Sequence, residues 1–316
     1  MDTPKKYTSS AGVSALGGSP PSTGKFGTSW GGRWWLFSGD TASYSAVNDA
    51  ETWTGSDAGS IQIDRGSGDV TGVTVFMGNL FIFKRRKIFR MLPTSNLKET
   101  AVREVSHIIG TAGHFTVAEA RGGFLMFESD NGIAGAVATS STGGFYVDNV
   151  SDRVKPLLDR REKGLQATNW ATYNEDRDEY WFQYGTATST PSEGIICNTA
   201  RGRSSLRFTR HNRANLTAGC IYRSSGTDLQ VVGNTSGEIY EMHSGDDWDG
   251  TNYTGRLQTS EHSQSRLGYM KNYGRIFADF QTNGAYPLTL KTKLGRKDLP
   301  SPGGQTITST AGGVSD

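Results

Sequence analysis

Along most of the chain, short aromatic or aliphatic runs alternate with polar, glycine-bearing punctuation, and one phrase recurs. A turn residue, one or two polar residues and a short apolar run first appear as Gly32-Arg33-Trp34-Trp35-Leu36-Phe37. The phrase returns as Gly78-Asn79-Leu80-Phe81-Ile82-Phe83, Gly123-Phe124-Leu125-Met126-Phe127 and Arg177-Asp178-Glu179-Tyr180-Trp181-Phe182. A fifth copy is Gly226-Thr227-Asp228-Leu229-Gln230-Val231-Val232, and a weaker sixth is Gly274-Arg275-Ile276-Phe277. The anchors at 32, 78, 123, 177, 226 and 274 lie 46, 45, 54, 49 and 48 residues apart. A period of about 40 to 50 residues in strand-rich sequence marks repeated sheet units that cover one another's faces by stacking.

Within a unit, further strands are expected at 73–77 and 87–91 around the second phrase. Around the fifth they are expected at 218–223, 229–232 and 238–242, with 224–226 and 234–237 as hairpin turns. Near-continuous apolar runs suit inner strands buried on both faces, and the alternation over 288–294 suits a late edge strand. Residues 151–162 break the rhythm. Their polar start and the spacing of Val154, Leu157 and Leu158 predict a short helix between units three and four, limited in its first turn by Pro156. The expected fold is all-β: a β-propeller of about six blades (five to six) over residues 26–295, with one short inserted helix. Residues 1–25, rich in Ser, Thr, Gly and Pro, are expected as an extended or flexible arm, and 296–316 as a flexible tail.

Composition supports the strand reading. Glycine makes up 41 of 316 residues, roughly twice average usage, which suits tight turns and weakens helices. The 33 basic and 31 acidic side chains nearly cancel, so no overall field demands a nucleic acid or a membrane. Cys197 and Cys220 are the only cysteines and read as reduced structural thiols. No secretory signal or membrane-length apolar run stands out.

Catalytic patterns are not found: the five histidines (107, 114, 211, 243, 262) are scattered, and phosphate-loop, zinc-protease and nucleophile-elbow motifs are missing. The acidic groups at 175–179 and 246–249 read as turns rather than paired catalytic carboxylates or a calcium loop. No enzyme activity, cofactor or metal is expected. The candidate interface residues are basic: Lys84, Arg85, Arg86 and Lys87 at a hairpin tip, and Arg160 and Arg161 beside the helix. Such charges are ordinarily a solvated tip, and those beside the helix are offset by Asp152, Asp159 and Glu162. The sharper reading is that they face a subunit interface or a DNA channel, since a ring of copies multiplies such charge.

The order of several weak motifs resembles the propeller-type tail proteins of short-tailed phages. Trp34 to Phe37 leads into Ser43-Tyr44-Ser45 and Asp49-Ala50-Glu51-Thr52-Trp53; Thr71-Gly72-Val73 leads through Phe83-Lys84 to Ile88-Phe89-Arg90. Ile108-Ile109-Gly110-Thr111, Gly122 to Phe127, the 151–158 segment, the hairpin at 173–184, Gly237-Glu238-Ile239-Tyr240 and Asp249-Gly250 continue the likeness, which spans roughly 26–294. The resemblance implies a nozzle-like or connecting ring, a six-fold homo-oligomer, that continues the DNA channel below the adaptor for genome ejection. It implies contacts with the adaptor or portal-proximal protein, with tail fibres or other tail proteins, and transiently with phage DNA. It places the protein in the virion after assembly in the bacterial cytoplasm. The alternative is a receptor- or carbohydrate-binding or depolymerising propeller.

Overall fold

The computed structural model of the chain describes residues 4–92, 102–139, 144–186, 193–211, 215–224 and 226–244, and strands at 287–290, 293–294, 297–298 and 305–308. The chain divides into two compact units, Met1–Ser244 and Gly245–Asp316; the division falls within the 26–295 stretch.

The first unit opens with a hairpin of β1 (Lys5–Thr8) and β2 (Gly12–Ala15) and continues as five antiparallel sheets in chain order. Sheet one holds β3 (Phe26–Trp30), β4 (Arg33–Ser38), β5 (Thr41–Tyr44) and β6 (Gly59–Gln62). Sheet two holds β7 (Val70–Phe76), β8 (Asn79–Lys84), β9 (Ile88–Met91) and β10 (Val102–Ser106). Sheet three holds β11 (Ala118–Ala120), β12 (Phe124–Ser129), β13 (Gly132–Ala138) and β14 (Phe145–Asn149). Sheet four holds β15 (Trp170–Asn174), β16 (Glu179–Tyr184), β17 (Glu193–Asn198) and β18 (Arg207–His211). Sheet five holds β19 (Leu216–Ser224), β20 (Thr227–Asn234) and β21 (Ile239–Glu241). In every sheet of this unit neighbouring strands are also neighbours in sequence.

The recurring phrase is the first hairpin of each of these sheets. The anchors Gly32, Gly78, Gly123 and Gly226 have φ of 70°, 74°, 68° and 84°, and Asp178 in the fourth phrase has φ of 54°. In sheets one and two the turn is two residues long, Gly31-Gly32 and Met77-Gly78, and both residues have positive φ. That is the backbone a tight hairpin requires to match the strand twist. The sixth anchor, at 274, lies outside the described residues.

The period-2 pleat sorts the second strands between two layers. On β8, Leu80 and Ile82 join Trp35, Phe37 and Tyr44 of sheet one in one core layer. Phe81 and Phe83 join Leu125 and Phe127 of sheet three in the next. On β12 the other face, Phe124 and Met126, packs with Tyr180, Phe182 and Tyr184 of β16. The apolar runs are therefore continuous because each inner sheet is covered on both sides. Sheets one to four stack face to face in sequence order. First strands sit side by side: β3 beside β7, β11 beside β15, and β15 beside β19.

Helical structure interrupts the chain between β14 and β15. A 3-10 turn at Asp152–Val154 runs into α1 (Lys155–Leu158), with Pro156 in its first turn, and a second 3-10 segment covers Lys163–Thr168. The predicted helix is thus a single turn, and Leu158 anchors it in the core. Ser151 does not cap it; its Oγ accepts from the Ile133 amide at 2.9 Å instead. The expected N-terminal arm is a hairpin over Lys5–Ala15 that is fastened to sheet one. Lys6 Nζ reaches both oxygens of Glu51 at 2.8 and 2.7 Å, and the Gly17 amide donates to Glu51 Oε1 at 2.8 Å. Across that hairpin Tyr7 pairs with Val13, and both are exposed.

In the second unit β22 (Pro287–Leu290) pairs with β25 (Gln305–Thr308), and β23 (Lys293–Leu294) pairs with β24 (Lys297–Asp298). The predicted late strand falls on β22 and β23. Among the described residues no helix is long and apolar enough to cross a membrane.

Candidate functional site

The first hairpin turns of successive sheets are joined to one another by polar or close contacts. Trp30 Nε1 donates to the Gly78 carbonyl at 2.9 Å, and the Met77 sulfur lies against Gly123. Arg121 reaches the Glu175 carbonyl at 3.1 Å and the Asp178 carboxylate at 3.4 Å. Asp176 accepts from the Asp228 amide at 3.0 Å, while Arg223 bridges Glu175 and Asp228 at 3.2 and 2.7 Å. The acidic run at 175–179, expected as a solvated turn, therefore fastens sheet four to the sheet on either side. Hydrogen bonds from Arg223 hold the Asp228 carboxyl below the usual aspartate range.

The 84–87 tip follows the opposite end of β8, and Arg160 and Arg161 follow α1; most of these predicted basic residues are neutralised. Lys84 is buried; its Nζ donates to the Asp64 carbonyl at 2.9 Å and to Ser67 Oγ at 2.8 Å. Burial pushes its ammonium down from the ordinary lysine value. Lys87 Nζ donates to Asp64 Oδ2 at 2.6 Å and lies 3.7 Å from Glu104. That bond holds the Asp64 carboxyl low and raises Lys87. Arg85 and Arg86 share Asp130, at 3.1 and 3.5 Å. Arg160 reaches Glu193 at 2.7 Å.

Arg161 is buried in an ion pair with fully buried Glu128. Asn169 Nδ2 also donates to both Glu128 oxygens, at 3.0 and 2.9 Å, and Arg161 Nε donates to the Leu158 carbonyl at 2.8 Å. Burial pushes the Glu128 carboxyl up, against the pull of Arg161 and Asn169. The pair ties sheet three to the helical segment. Two of the six predicted interface residues, Lys84 and Arg161, are thus internal and present no cation at the surface. His114 is likewise a packing residue: its ring lies 4.7 Å from Phe26, and burial lowers its pKa. The acidic turn at 246–251 lies outside the described residues.

A second basic region went unread because its charges are spaced, not consecutive. Residues 194–227 contain Arg201, Arg203, Arg207, Arg210, Arg213 and Arg223, with no Asp, Glu or Lys. Three of these, Arg203, Arg207 and Arg210, lie on β18 and the 3-10 turn before it (Arg203–Ser205). β18 is the outer strand of sheet four, and Arg207 and Arg210 are exposed there. Beside it an open cleft of about 510 Å³ is lined by Asp148, Asn149, Arg153, Arg203, Leu206 and Phe208. The Arg203 guanidinium lies over the Tyr146 ring at 4.7 Å, and Tyr146 Oη donates to Asp148 Oδ2 at 2.9 Å. Arg210 lies 3.3 Å from Glu193, the carboxylate that Arg160 also uses. Among the described residues Arg153, Arg203 and Arg207 form no ion pair.

No protein-family model matches the chain, and no curated protein matches it in sequence. Among solved structures, the chain is similar to one described as the AfRom2 CNH domain, at 12% identity and a TM-score of 0.42 over 74% of each chain.

Proposed function

We propose that the chain is a β-propeller module of a bacteriophage tail, a nozzle-like or connecting ring that continues the DNA channel during genome ejection. The observation that carries the reading is the face-to-face stack of consecutive meander sheets, each opened by one copy of the repeated phrase, in the order of motifs that resembles the phage family. The propeller part is supported by the first strands lying side by side from sheet to sheet, since blades of a propeller meet in that way around their axis.

In this reading the chain works mechanically rather than by catalysis. The turn-to-turn contacts from Trp30 to Arg223 make the stack stiff, and loops between sheets form joints to neighbouring copies, to the adaptor and to other tail proteins. The ring is a homo-oligomer, assembled in the bacterial cytoplasm and carried in the virion. Electron microscopy of the purified chain, with mass spectrometry of intact virions, tests this. Rings of the chain and its presence in virions are expected. A monomer that binds or cleaves a glycan and is missing from virions overturns the reading in favour of a carbohydrate-directed propeller.

A further inference from the structure

We propose that the outer edge of sheet four and the cleft beside it, which carry Arg207 and Arg210 and Arg153 and Arg203, bind the phosphate backbone of duplex DNA. The identity of the partner rests on the tail reading; the position and chemistry of the surface do not.

Three observations converge on this edge. The first is charge. Around the cleft and β18 stand Arg153, Arg160, Arg201, Arg203, Arg207 and Arg210, against the carboxylates of Asp148, Asp152 and Glu193. Glu193 is shared by two of the arginines and Asp148 is engaged by Tyr146, so the surface keeps an excess of positive charge. The second is residue type. Every cation of 194–227 is an arginine, whose planar fork matches two phosphate oxygens at once, where lysine offers only a point charge. The third is shape. Arg153 and Arg203 line an open cleft, and Arg207 and Arg210 continue from it on alternate sides of an edge strand, so a long polyanion that meets the edge can reach them without entering an enclosed pocket. Amides on the free side of an edge strand add donors of the kind that bind phosphate without reading sequence.

The hairpin at 84–87 lacks these properties, because Asp64, Asp130 and Glu104 answer its cations and Lys84 is internal. The binding inferred for the β18 edge is electrostatic and sequence-independent, so its affinity falls steeply with salt.

The test is fluorescence anisotropy of a labelled duplex with the full chain, between about 50 and 200 mM NaCl. The variants are R153Q/R203Q/R207Q/R210Q, the milder R153Q/R207Q and, as a control, R85Q/R86Q. Circular dichroism verifies that each is folded. The fourfold variant should lose at least about tenfold in affinity and flatten the dependence of log K on log salt by roughly three to four, near one per phosphate contact removed. The double variant should fall between, and R85Q/R86Q should bind like the parent. Equal binding by parent and fourfold variant overturns the proposal, as does no binding of duplex by the parent. Binding of poly-glutamate in place of DNA overturns it as well, by assigning the edge to an acidic protein. Failure of any of these leaves ring formation and virion content to be read separately, so the loss of this site and the loss of the tail reading are distinguishable.

Discussion

The two basic stretches of this chain, 84–87 and 201–210, each carry four cations, and the fold treats them in opposite ways. The first is a tip of four consecutive charges, yet one is buried against Asp64 and Ser67 and the others find Asp64, Glu104 and Asp130. Those acids come from the linker after sheet one, from β10 and from the second hairpin of sheet three. The second stretch spreads its charges over an outer strand and the turn before it, beyond which no described strand pairs, and among the described residues Glu193 is the carboxylate that forms an ion pair with it. The density of charge along a sequence therefore says little about the field at the surface. What decides is whether other segments deliver carboxylates to the same place.

The largest effect that sharpens this contrast comes from the most internal cation. Arg161→Met leaves the buried Glu128 carboxylate without its partner. Such a loss costs about 3–5 kcal/mol, to be measured by urea unfolding. The double variant Glu128→Leu/Arg161→Met should recover most of that loss, since a packed apolar pair of similar size replaces a buried ion pair at little cost. Next is Gly110→Ala. A β-carbon there collides with the Lys84 carbonyl and the Lys87 backbone, over which Gly110 packs. Crowding a packed site in this way should destabilise by about 1–3 kcal/mol, seen as a lowered unfolding midpoint.

A smaller change should break the contrast altogether. Asp64→Asn/Asp130→Asn removes the acids that answer the 84–87 tip, and duplex affinity in the anisotropy assay should rise a few-fold. If affinity stays unchanged, neutralisation is not what separates the two stretches. The smallest effect is on pH. The Asp64 carboxyl is held low by Lys87, so its contribution to stability is present above the ordinary aspartate range and is lost as pH falls through its folded value. The gap in Tm between parent and Asp64→Asn should accordingly close below about pH 4.

Much of this architecture is legible in local chemistry. The anchors mark turns because positive φ is a local demand that glycine meets, and five of the six anchors lie in first hairpins. The runs at 80–83 and 124–127 announce strands covered on both faces, and the structure divides alternate residues between two layers as the pleat requires. The N-terminal hairpin was hidden because little in residues 5–15 favours burial; its attachment depends on Glu51, far along the chain. Ser151 has the type and position of a helix cap, yet its hydroxyl is taken by an amide on β13. The arginine edge was visible only as an acid-free interval of 34 residues, a signal that a search for consecutive charges passes over.

The edge position of β18 has one more consequence. An outer strand offers a ladder of free peptide groups onto which a strand of another molecule can zip, and rows of like charge keep such strangers apart. Arg207 and Arg210 guard the ladder in this way as well as facing solvent. Neutralising them should make the chain more prone to self-association at high concentration even where its fold and Tm are untouched.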